Sequence, residues 1–417
     1  MTALKIGLIT DNYPAFMATG KSPAGGIGSY TQLVAEELAG RGHEVHVFAY
    51  APVGDIERQA AGGVTVWGCP TWNRRREMSG RRSLEYTLRY RRRHHPSRYP
   101  LLLAAREAAG RHKFDVIESP DLATMGAIVE SARLSRCFAV RLHCIITEQC
   151  GNRLLDAPAE LRRRLADFIS RADVVTAPTR FVLQSTRDAL EADLVTGCVV
   201  GNPVRMRPLE PRHATLPQEA VFFGRIFTQK GPDLLAAAVP RIRREIPRFK
   251  ATFIGPDLLT HHMRSSHYLR QVAGDDADAC VFRGQMPHHE LAKEVRRYGV
   301  CVLPSRWETF GMTLIEAMSW GCPVVASDIG PFRELSEEGT YCRLAESDSV
   351  EDVALAVVET IRNPPSVESL EASWRHASNW SVESVVTQAL AAWGQSAAED
   401  RPATRTNASG RLCGGVA

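Results

Sequence analysis

The segment PSRWETFGMTLIE, residues 304–316, follows a short apolar run and opens an amphipathic stretch, a pattern typical of a buried strand, a loop and a helix. Glu308 lies in the predicted loop, and Glu316 lies about one turn inside the predicted helix. Gly311 is near the helix entrance, where free backbone amides attract anions. Because carboxylates accept hydrogen bonds from sugar diols, the segment offers groups for both a sugar and a phosphate. A second interpretation is that the two acids only complement the helix dipole.

On both sides of this segment, short runs rich in Val and Ile alternate with amphipathic stretches, which is typical of buried parallel strands in βαβ units. The predicted strands are Lys5 to Thr10, Glu44 to Tyr50, Val64 to Cys69, Phe114 to Ser119, Phe138 to His143, Val174 to Pro178, Ala220 to Ile226, Ala251 to Gly255, Cys280 to Gly284, Val300 to Pro304 and Pro323 to Ser327. The predicted helices include Ser29 to Gly40, Leu122 to Arg133, Glu160 to Arg171, Phe181 to Leu190, Glu290 to Tyr298 and Thr313 to Trp320. The predicted fold class is α/β, with two Rossmann-like doubly wound domains facing a central cleft.

At 417 residues the chain is longer than one hydrophobic core usually supports. We assign residues 1–205 to a first domain, 206–217 to a linker, and 218–378 to a second domain. Residues 379–395 are predicted to form a helix that returns to the first domain. Residues 396–417 contain few large apolar side chains, so we predict a disordered tail.

The composition, 44% hydrophobic and 24% charged, is that of an ordinary globular protein, and a net charge of +4 gives no reason to expect nucleic-acid binding. No two of the ten cysteines form a CxxC pair, which favours buried free thiols over disulfides or metal ligands. No apolar run reaches the roughly 18 residues of a membrane span, and the first residues lack a signal-peptide pattern. We therefore expect a cytoplasmic protein.

Two further loops follow predicted strands, where ligands of open α/β sheets bind. One carries Gly25, Gly26 and Gly28, which would let the backbone approach a phosphate. The other carries Arg225 and Lys230 before a predicted helix, and two cations there suit a diphosphate. Taken alone, the first loop is equally compatible with a structural turn, and the second with solvated surface cations.

A dinucleotide-binding fold would place GxGxxG directly after the first strand and an acidic residue at the end of the next strand. Thr31 stands where the third glycine would be required, and the strand that starts at Glu44 ends at Tyr50 without a carboxylate. The sequence therefore disfavours a dinucleotide-dependent oxidoreductase.

The spacing of Glu308 and Glu316 resembles the E-x7-E signature of retaining family-four glycosyltransferases, which have the two-domain GT-B architecture. Further segments that suit the family pattern, in order along the chain, are Gly25-Gly26, Arg41 to Val45, Glu118 to Asp121, Gly224-Arg225, Lys230-Gly231 and Pro323 to Ala326. Two positions depart from the pattern, Asn202-Pro203 between the domains and Gly330-Pro331 after the signature. These departures concern the shape of loops.

The resemblance implies that residues 1–205 bind the acceptor of the sugar and residues 218–378 its nucleotide-sugar donor. It also implies a role for each matching residue. Glu316 would hold the donor ribose, and Glu308 would contact the transferred sugar together with the backbone of Phe310, Gly311, Met312 and Thr313. Arg225 and Lys230 would neutralise the diphosphate, and Gly26 would let the first loop close on it. His143 would lie near the reacting sugar and acceptor, its alternative being a core or capping histidine. The backbone near Arg283 would contact the base.

The expected reaction is transfer of a sugar from a nucleoside diphosphate to an acceptor hydroxyl with retained anomeric configuration. A UDP-sugar such as UDP-GlcNAc is the favoured donor, and neither a cofactor nor a metal ion is expected. Asp276-Ala277-Asp278 mimics a metal-binding DxD motif, but it precedes a strand and is interpreted as a solvated loop. A nucleotide-sugar-binding protein without transferase activity is the alternative from another class.

The acceptor is expected to be a small molecule, a glycan or a lipid. Asp11, Glu118, Asp121 and Glu148 are predicted to line an acidic mouth of the first domain on the acceptor side. Segment 74–98 is rich in arginine and is interpreted as a solvated helix. A sharper hypothesis for the same segment is that it contacts an anionic acceptor or the inner face of a membrane.

Overall fold

The protein is described by a computed structural model with two main sheets, one mostly parallel and one fully parallel. The structure describes residues 2–16, 26–53, 55–71, 80–90, 94–143, 158–190, 197–210, 217–260 and 262–398. Glu148 lies outside the described residues, as do residues 74–79 and 91–93 of the arginine-rich segment and residues 399–417 of the predicted tail.

The first sheet has eight strands in the order β3-β4-β2-β1-β5-β6-β7-β8. Its strands are β1 (Lys5–Thr10), β2 (Glu44–Tyr50), β3 (Glu57–Ala61), β4 (Val64–Cys69), β5 (Phe114–Pro120), β6 (Ser135–Arg141), β7 (Val174–Ala177) and β8 (Gly197–Val199). All neighbours are parallel except β3, which pairs antiparallel with β4. The strand order reverses at β1, so the loops after β1 and β5 open a crevice there.

The second sheet has six parallel strands in the order β13-β10-β9-β14-β15-β16. They are β9 (Glu219–Phe223), β10 (Lys250–Ile254), β13 (Cys280–Gly284), β14 (Val300–Leu303), β15 (Val324–Ser327) and β16 (Arg343–Ala345), and a short hairpin of β11 (Leu259–Thr260) and β12 (Met263–Arg264) lies outside the sheet. Strand β9 pairs with both β10 and β14, so the strand order reverses at β9. The loops after β9 and β14 therefore meet at one edge, which is where the sequence places Lys230 and Glu308.

Helices flank both sheets. The first domain has Gly26–Gly40, Gly80–Arg89, Tyr99–Ala109, Ala127–Glu130, Ala159–Ser170 and Arg180–Leu190, and the second has Pro232–Glu245, Ser265–Ala273, His288–Val295, Met312–Ser319, Gly330–Leu335, Val350–Arg362 and Val367–Ala377. The last helix is Val382–Ala398. The prediction of two doubly wound α/β domains is confirmed.

The predicted helix from Leu122 to Arg133 is wrong in its length. The structure has a 3-10 turn at Leu122–Thr124 and one short helix at Ala127–Glu130. Thr124 has a positive φ of 52°, and a side chain on Gly126 would overlap the Ser119 hydroxyl, so the chain turns here to pack against the sheet.

The prediction of a solvated loop at Asp276-Ala277-Asp278 holds for the solvation of Asp278, whose side chain is 75% exposed, but the backbone there is not a loop. These residues lie in the 3-10 segment Gly274–Ala279. Arg243 donates to Asp276 at 2.8 Å and to Asp278 at 3.1 Å. Both acids are therefore paired with an arginine of the neighbouring helix.

The last helix packs on the first domain. Val385, Val386 and Trp393 are buried in one apolar cluster with Ile6 and Leu8 of β1. The chain therefore crosses between the domains twice, once before the second sheet and once after it.

The two crossings lie side by side. The backbone N of Val204 donates to the carbonyl of Trp380 at 2.8 Å, and a side chain on Gly201 would overlap the Trp380 ring. Arg141, which is buried at the end of β6, donates to the carbonyls of Val200 at 2.7 Å and Gly201 at 2.9 Å. These contacts fix the crossing to the first sheet.

Candidate functional site

The centre of the site is an ion pair between the two loops that meet at β9. Lys230 ends the 3-10 turn Thr228–Lys230, and its Nζ lies 2.7 Å from both carboxylate oxygens of Glu308. The Ser305 hydroxyl donates to Oε1 of Glu308 at 2.9 Å. The side chain of Glu308 is 7% exposed and that of Lys230 is 20% exposed. The predicted acid and the predicted cation are therefore one largely buried pair, in which each charge compensates the other.

Arg225 lies two residues after the end of β9 and is exposed. Its guanidinium lies over the Phe227 ring, 4.8 Å from the centroid. An aromatic platform of this kind limits the conformations of an arginine while leaving its edge accessible to solvent.

The helix Met312–Ser319 begins at the end of the loop after β14, residues 304–311, which we call the signature loop. Gly311 precedes it with φ of 103°, and a side chain at this position would overlap the ring of Phe332. Phe310 is 1% exposed and its ring packs against Trp380, so its side chain belongs to the core. The entrance therefore presents backbone groups at Phe310, Gly311, Met312 and Thr313, as expected for contacts with an anion.

Glu316, inside this helix, contacts a residue that the sequence did not identify. Nε2 of His288 lies 3.0 Å from Oε1 of Glu316, and the imidazole packs edge-on against Trp320 at 5.6 Å. His288 begins the helix that follows β13. The predicted ribose ligand thus has a histidine beside it.

His143 lies just beyond the carboxyl end of β6 and is buried. Burial, and secondarily the charge of Arg141, lowers the pKa of His143 well below its ordinary value, so the imidazole is neutral. Its backbone N donates to Oδ1 of Asp121 at 2.9 Å, and its ring packs edge-on against Tyr30.

The predicted acidic mouth of the first domain differs from the structure at two positions. Glu118 is 4% exposed and Asp121 is 2% exposed, so neither lines an open surface. Oε1 of Glu118 accepts from the Tyr30 hydroxyl at 2.9 Å. Desolvation raises the pKa of Glu118 against the opposing effect of Arg141. Glu118 is bonded to Tyr30, and Asp121 is bonded to the backbone of His143, so both acids belong to the buried surroundings of His143.

Three other residues that the sequence assigned to the site, Asp11, Gly26 and Arg283, form no contact with the Lys230–Glu308 pair among the contacts described here. Asp11 is half-buried after β1, and burial raises its pKa. Gly26 begins its helix with open space beside it. Arg283 is exposed near the end of β13, with its Nε 3.6 Å from Glu294. The backbone beside Arg283 is fixed to the neighbouring strand end, because the carbonyl of Gly284 accepts from the backbone N of Gly255 at 2.9 Å.

The site includes contacts between the two domains. The Thr179 hydroxyl donates to the carbonyl of Thr309 at 3.1 Å, and Trp307 packs against the apolar core of the first domain. The signature loop is therefore held from both sides of the cleft.

The sequence matches two family models in the order of the two sheets. Residues 25–203 match the model described as a glycosyl transferase 4-like domain, and residues 217–363 match glycosyl transferases group 1. The chain belongs to the family-four glycosyltransferases. It is thus an enzyme that uses nucleotide-sugar donors.

This glycosyltransferase is similar to relatives whose names differ in the reaction that they state. It is 26% identical to the D-inositol 3-phosphate glycosyltransferase of Acidothermus cellulolyticus, over 99% of this chain and 94% of the relative. It is 32% identical to the glycogen synthase of Mycobacterium tuberculosis over 38% of this chain and 37% of that protein.

Solved structures share its architecture. The sucrose-phosphate synthase of Thermosynechococcus elongatus has a TM-score of 0.72 at 18% identity, covering 94% of this chain and 98% of that chain. The Anabaena protein Alr3699/HepE, solved with UDP and glucose, has a TM-score of 0.70 at 17% identity, covering 94% and 99%. The glycosyltransferase therefore has the GT-B fold.

Within the described ranges, no three His, Cys, Asp or Glu side chains are grouped as a metal site would require. Among the helices of this same part of the chain, none combines the length and the apolarity needed to span a membrane.

Proposed function

We propose that the enzyme transfers a hexosyl or N-acetylhexosaminyl group from a UDP-sugar to an acceptor hydroxyl, with retention of configuration and without a metal ion. The observation that carries this proposal is the ion pair between Lys230 and Glu308, at 2.7 Å, where the loops after β9 and β14 meet. It lies at the point of the sheet where ligands of doubly wound domains bind.

The proposed donor site has a charged part and a polar part. Lys230, Arg225 and the amides at the start of helix Met312–Ser319 would bind the diphosphate. At a separation of about 4 Å and an effective dielectric near 20, one charge pair contributes roughly 4 kcal/mol before desolvation, so one cation would not balance two phosphate charges. Glu316 would accept from the ribose hydroxyls, with His288 beside it at 3.0 Å.

In the proposed reaction the bond between the anomeric carbon and the diphosphate oxygen breaks. The acceptor oxygen forms its bond to that carbon on the same face, and the acceptor proton passes to the departing diphosphate. Lys230 and Arg225 would stabilise the charge that develops on the leaving group, which is the role that a metal ion has in other transferases.

Glu308 is not proposed as a nucleophile. Both of its carboxylate oxygens lie 2.7 Å from Lys230, and one of them also accepts from Ser305. These contacts lower the electron density available for attack on carbon and suit a residue that orients the lysine and the sugar.

His143 is proposed to form hydrogen bonds with the transferred sugar or the acceptor. Its lowered pKa keeps it neutral, so it would act as a hydrogen-bond donor or acceptor and not as a cation. In the same proposal the first domain binds the acceptor and the second binds the donor.

The acceptor is proposed to be a small polyhydroxylated molecule, with glycans and lipids as the other candidates. The similarity to a D-inositol 3-phosphate glycosyltransferase over nearly the whole chain supports a small polyol. A mass-spectrometric screen of UDP-, GDP- and ADP-sugars, UDP-GlcNAc among them, against pooled polyols, polyol phosphates, oligosaccharides and lipids tests donor and acceptor together. Nuclear magnetic resonance of the product then gives the anomeric configuration.

The proposal expects one UDP-sugar to give a product whose mass increases by one glycosyl unit and whose anomer is that of the donor. An inverted anomer would refute the retaining mechanism while leaving the donor assignment intact. Donor binding without transfer to any pooled acceptor would support the alternative of a nucleotide-sugar-binding protein.

A further inference from the structure

Arg306 lies between the two loops that bring Lys230 and Glu308 together. Its guanidinium forms a paired contact with Asp233, Nη1 to Oδ1 at 2.8 Å and Nη2 to Oδ2 at 2.6 Å. Nη1 also donates to the carbonyl of Thr228 at 2.6 Å, and Nε lies 2.6 Å from Asp348. The Arg306 side chain therefore binds both the Thr228–Lys230 turn, called here the lysine turn, and the first turn of the next helix, Pro232–Glu245.

The backbones of the two loops are also in direct contact. The N–H of Arg306 donates to the carbonyl of Gln229 at 2.9 Å. Gly231 has φ of 65°, and a side chain there would overlap the carbonyl oxygen of Pro304. Lys230 stands between Gln229 and Gly231, so its position depends on how closely these loops approach each other.

The charge of Arg306 is already matched by acids. Its side chain is 23% exposed, that of Asp233 is 13% exposed, and Asp348 supplies a second carboxylate. A guanidinium held by these partners has few donors left for a ligand. Arg306 thus differs from Arg225, whose side chain is exposed beside the site.

We propose that Arg306 is a positioning residue for nucleotide binding, which holds the Thr228–Lys230 turn against the signature loop so that Lys230 reaches both Glu308 and the donor diphosphate. The inference rests on the proposed role of Lys230 as a diphosphate ligand. Arg306 acts through Lys230 and does not contact the donor.

A double-mutant cycle tests this coupling. The dissociation constants of UDP, GDP and ADP are measured by calorimetry for the wild-type protein, and the tightest of the three is used as the probe. Lys230→Met is expected to weaken binding about 30-fold and Arg306→Met about tenfold, whereas the double variant binds within about twofold of Lys230→Met alone. Asp233→Asn, which keeps the shape of the partner, is expected to follow Arg306→Met.

Arg241→Met is the matched control. Arg241 lies on the same helix as Asp233 and pairs with Glu351 at 2.6 Å, away from the lysine turn. The Arg241→Met variant should bind the probe nucleotide with the affinity of the wild-type protein. Circular dichroism at the titration temperature verifies that each variant is folded, and Arg306→Lys, which keeps the charge but loses the paired contact, provides a milder change if Arg306→Met unfolds.

The outcomes separate the two proposals. If none of the three nucleotides binds, or if Lys230→Met binds like the wild-type protein, the proposed role of Lys230 is wrong and this inference falls with it. If Lys230→Met weakens binding but folded Arg306→Met or Arg306→Lys does not, only the inference is wrong. The inference is also wrong if the fold-changes in dissociation constant of Arg306→Met and Lys230→Met multiply in the double variant. Arg306 would then act on binding independently of Lys230, as a general loss of structure does.

Discussion

Glu334 of the second domain caps the helix that begins at Arg180 of the first. Its two carboxylate oxygens accept from the backbone N of Arg180 at 2.8 Å and of Phe181 at 3.0 Å. A carboxylate at a helix N-terminus both satisfies free amides and complements the dipole. The helix Arg180–Leu190 is therefore capped across the cleft by a residue from the other domain.

We predict that Glu334→Ala increases hydrogen exchange at the amides of residues 180 and 181. Loss of the cap should cost about 1 kcal/mol locally, or about a fivefold faster exchange. Mass-spectrometric exchange of peptides spanning residues 178–186 measures this. Glu334→Gln, which keeps one oxygen acceptor, should give a smaller increase, and the exposed Glu107→Ala in the first domain should give none. Unchanged exchange in Glu334→Ala would show that the contact does not stabilise the helix.

Gly231 and Gly274 have similar backbone angles but different surroundings. Comparing an alanine substitution at each separates the cost of backbone strain from the cost of steric overlap. Both have a positive φ, 65° and 62°, but a side chain at Gly231 meets the Pro304 carbonyl, whereas Gly274 has open space. Gly274→Ala should cost about 1 kcal/mol from backbone strain alone. Gly231→Ala should lower the melting temperature further and also weaken nucleotide binding. Equal effects of the two substitutions on melting and binding would contradict the close approach of the loops.

His288→Ala is expected to weaken nucleoside diphosphate binding about fivefold, since it removes one hydrogen bond that orients Glu316. His289→Ala is the matched control, because the adjacent imidazole is exposed and lies 3.6 Å from Glu290 instead. Calorimetric titration compares the two variants. If both bind alike, His288 has no part in orienting the ribose ligand.

The buried neutral His143 should make stability depend on pH. The unfolded chain binds a proton near the ordinary pKa of 6.5, whereas the folded protein does not, so stability falls as pH drops below that value. Between pH 6.5 and 5.5 this one residue contributes a loss of roughly 1 kcal/mol. Urea unfolding at pH 7.5 and 5.5 measures how far the free energy of unfolding falls between these pH values. The fall should be smaller for His143→Gln than for the wild-type protein. An identical loss in both would mean that the imidazole titrates normally.

The fold and the nearness of the loops that carry Lys230 and Glu308 were predictable from the sequence for one reason, whereas the ion pair between the two side chains was not predicted. Buried parallel strands such as Val300–Leu303 are continuous apolar runs, and the residues after them must lie at one edge of the sheet. Lys230 and Glu308 follow two strands that pair with each other, so their loops meet. The short edge strands β3, β8 and β16 were not predicted, because Glu57–Ala61, for example, lacks an apolar run.

The remaining parts of the site depend on contacts that local sequence does not encode. His288 and Glu316 are 28 residues apart, and only the packing of two helices brings them together. Glu118 and Asp121 are acids, which are usually exposed, yet partners from Tyr30 and the backbone of His143 allow them to be buried. Burial of a charged residue is decided by partners elsewhere in the chain.

The return of helix Val382–Ala398 to the first domain has a consequence for synthesis. Trp393 and Val386 complete the cluster around Ile6, although hundreds of peptide bonds separate them. During translation the helix Gly26–Gly40 can cover part of this apolar face early, but the part that Val386 and Trp393 cover stays exposed until the last helix has left the ribosome. The strands of the second sheet are made before that helix, so the core of the first domain is completed after the second sheet can form.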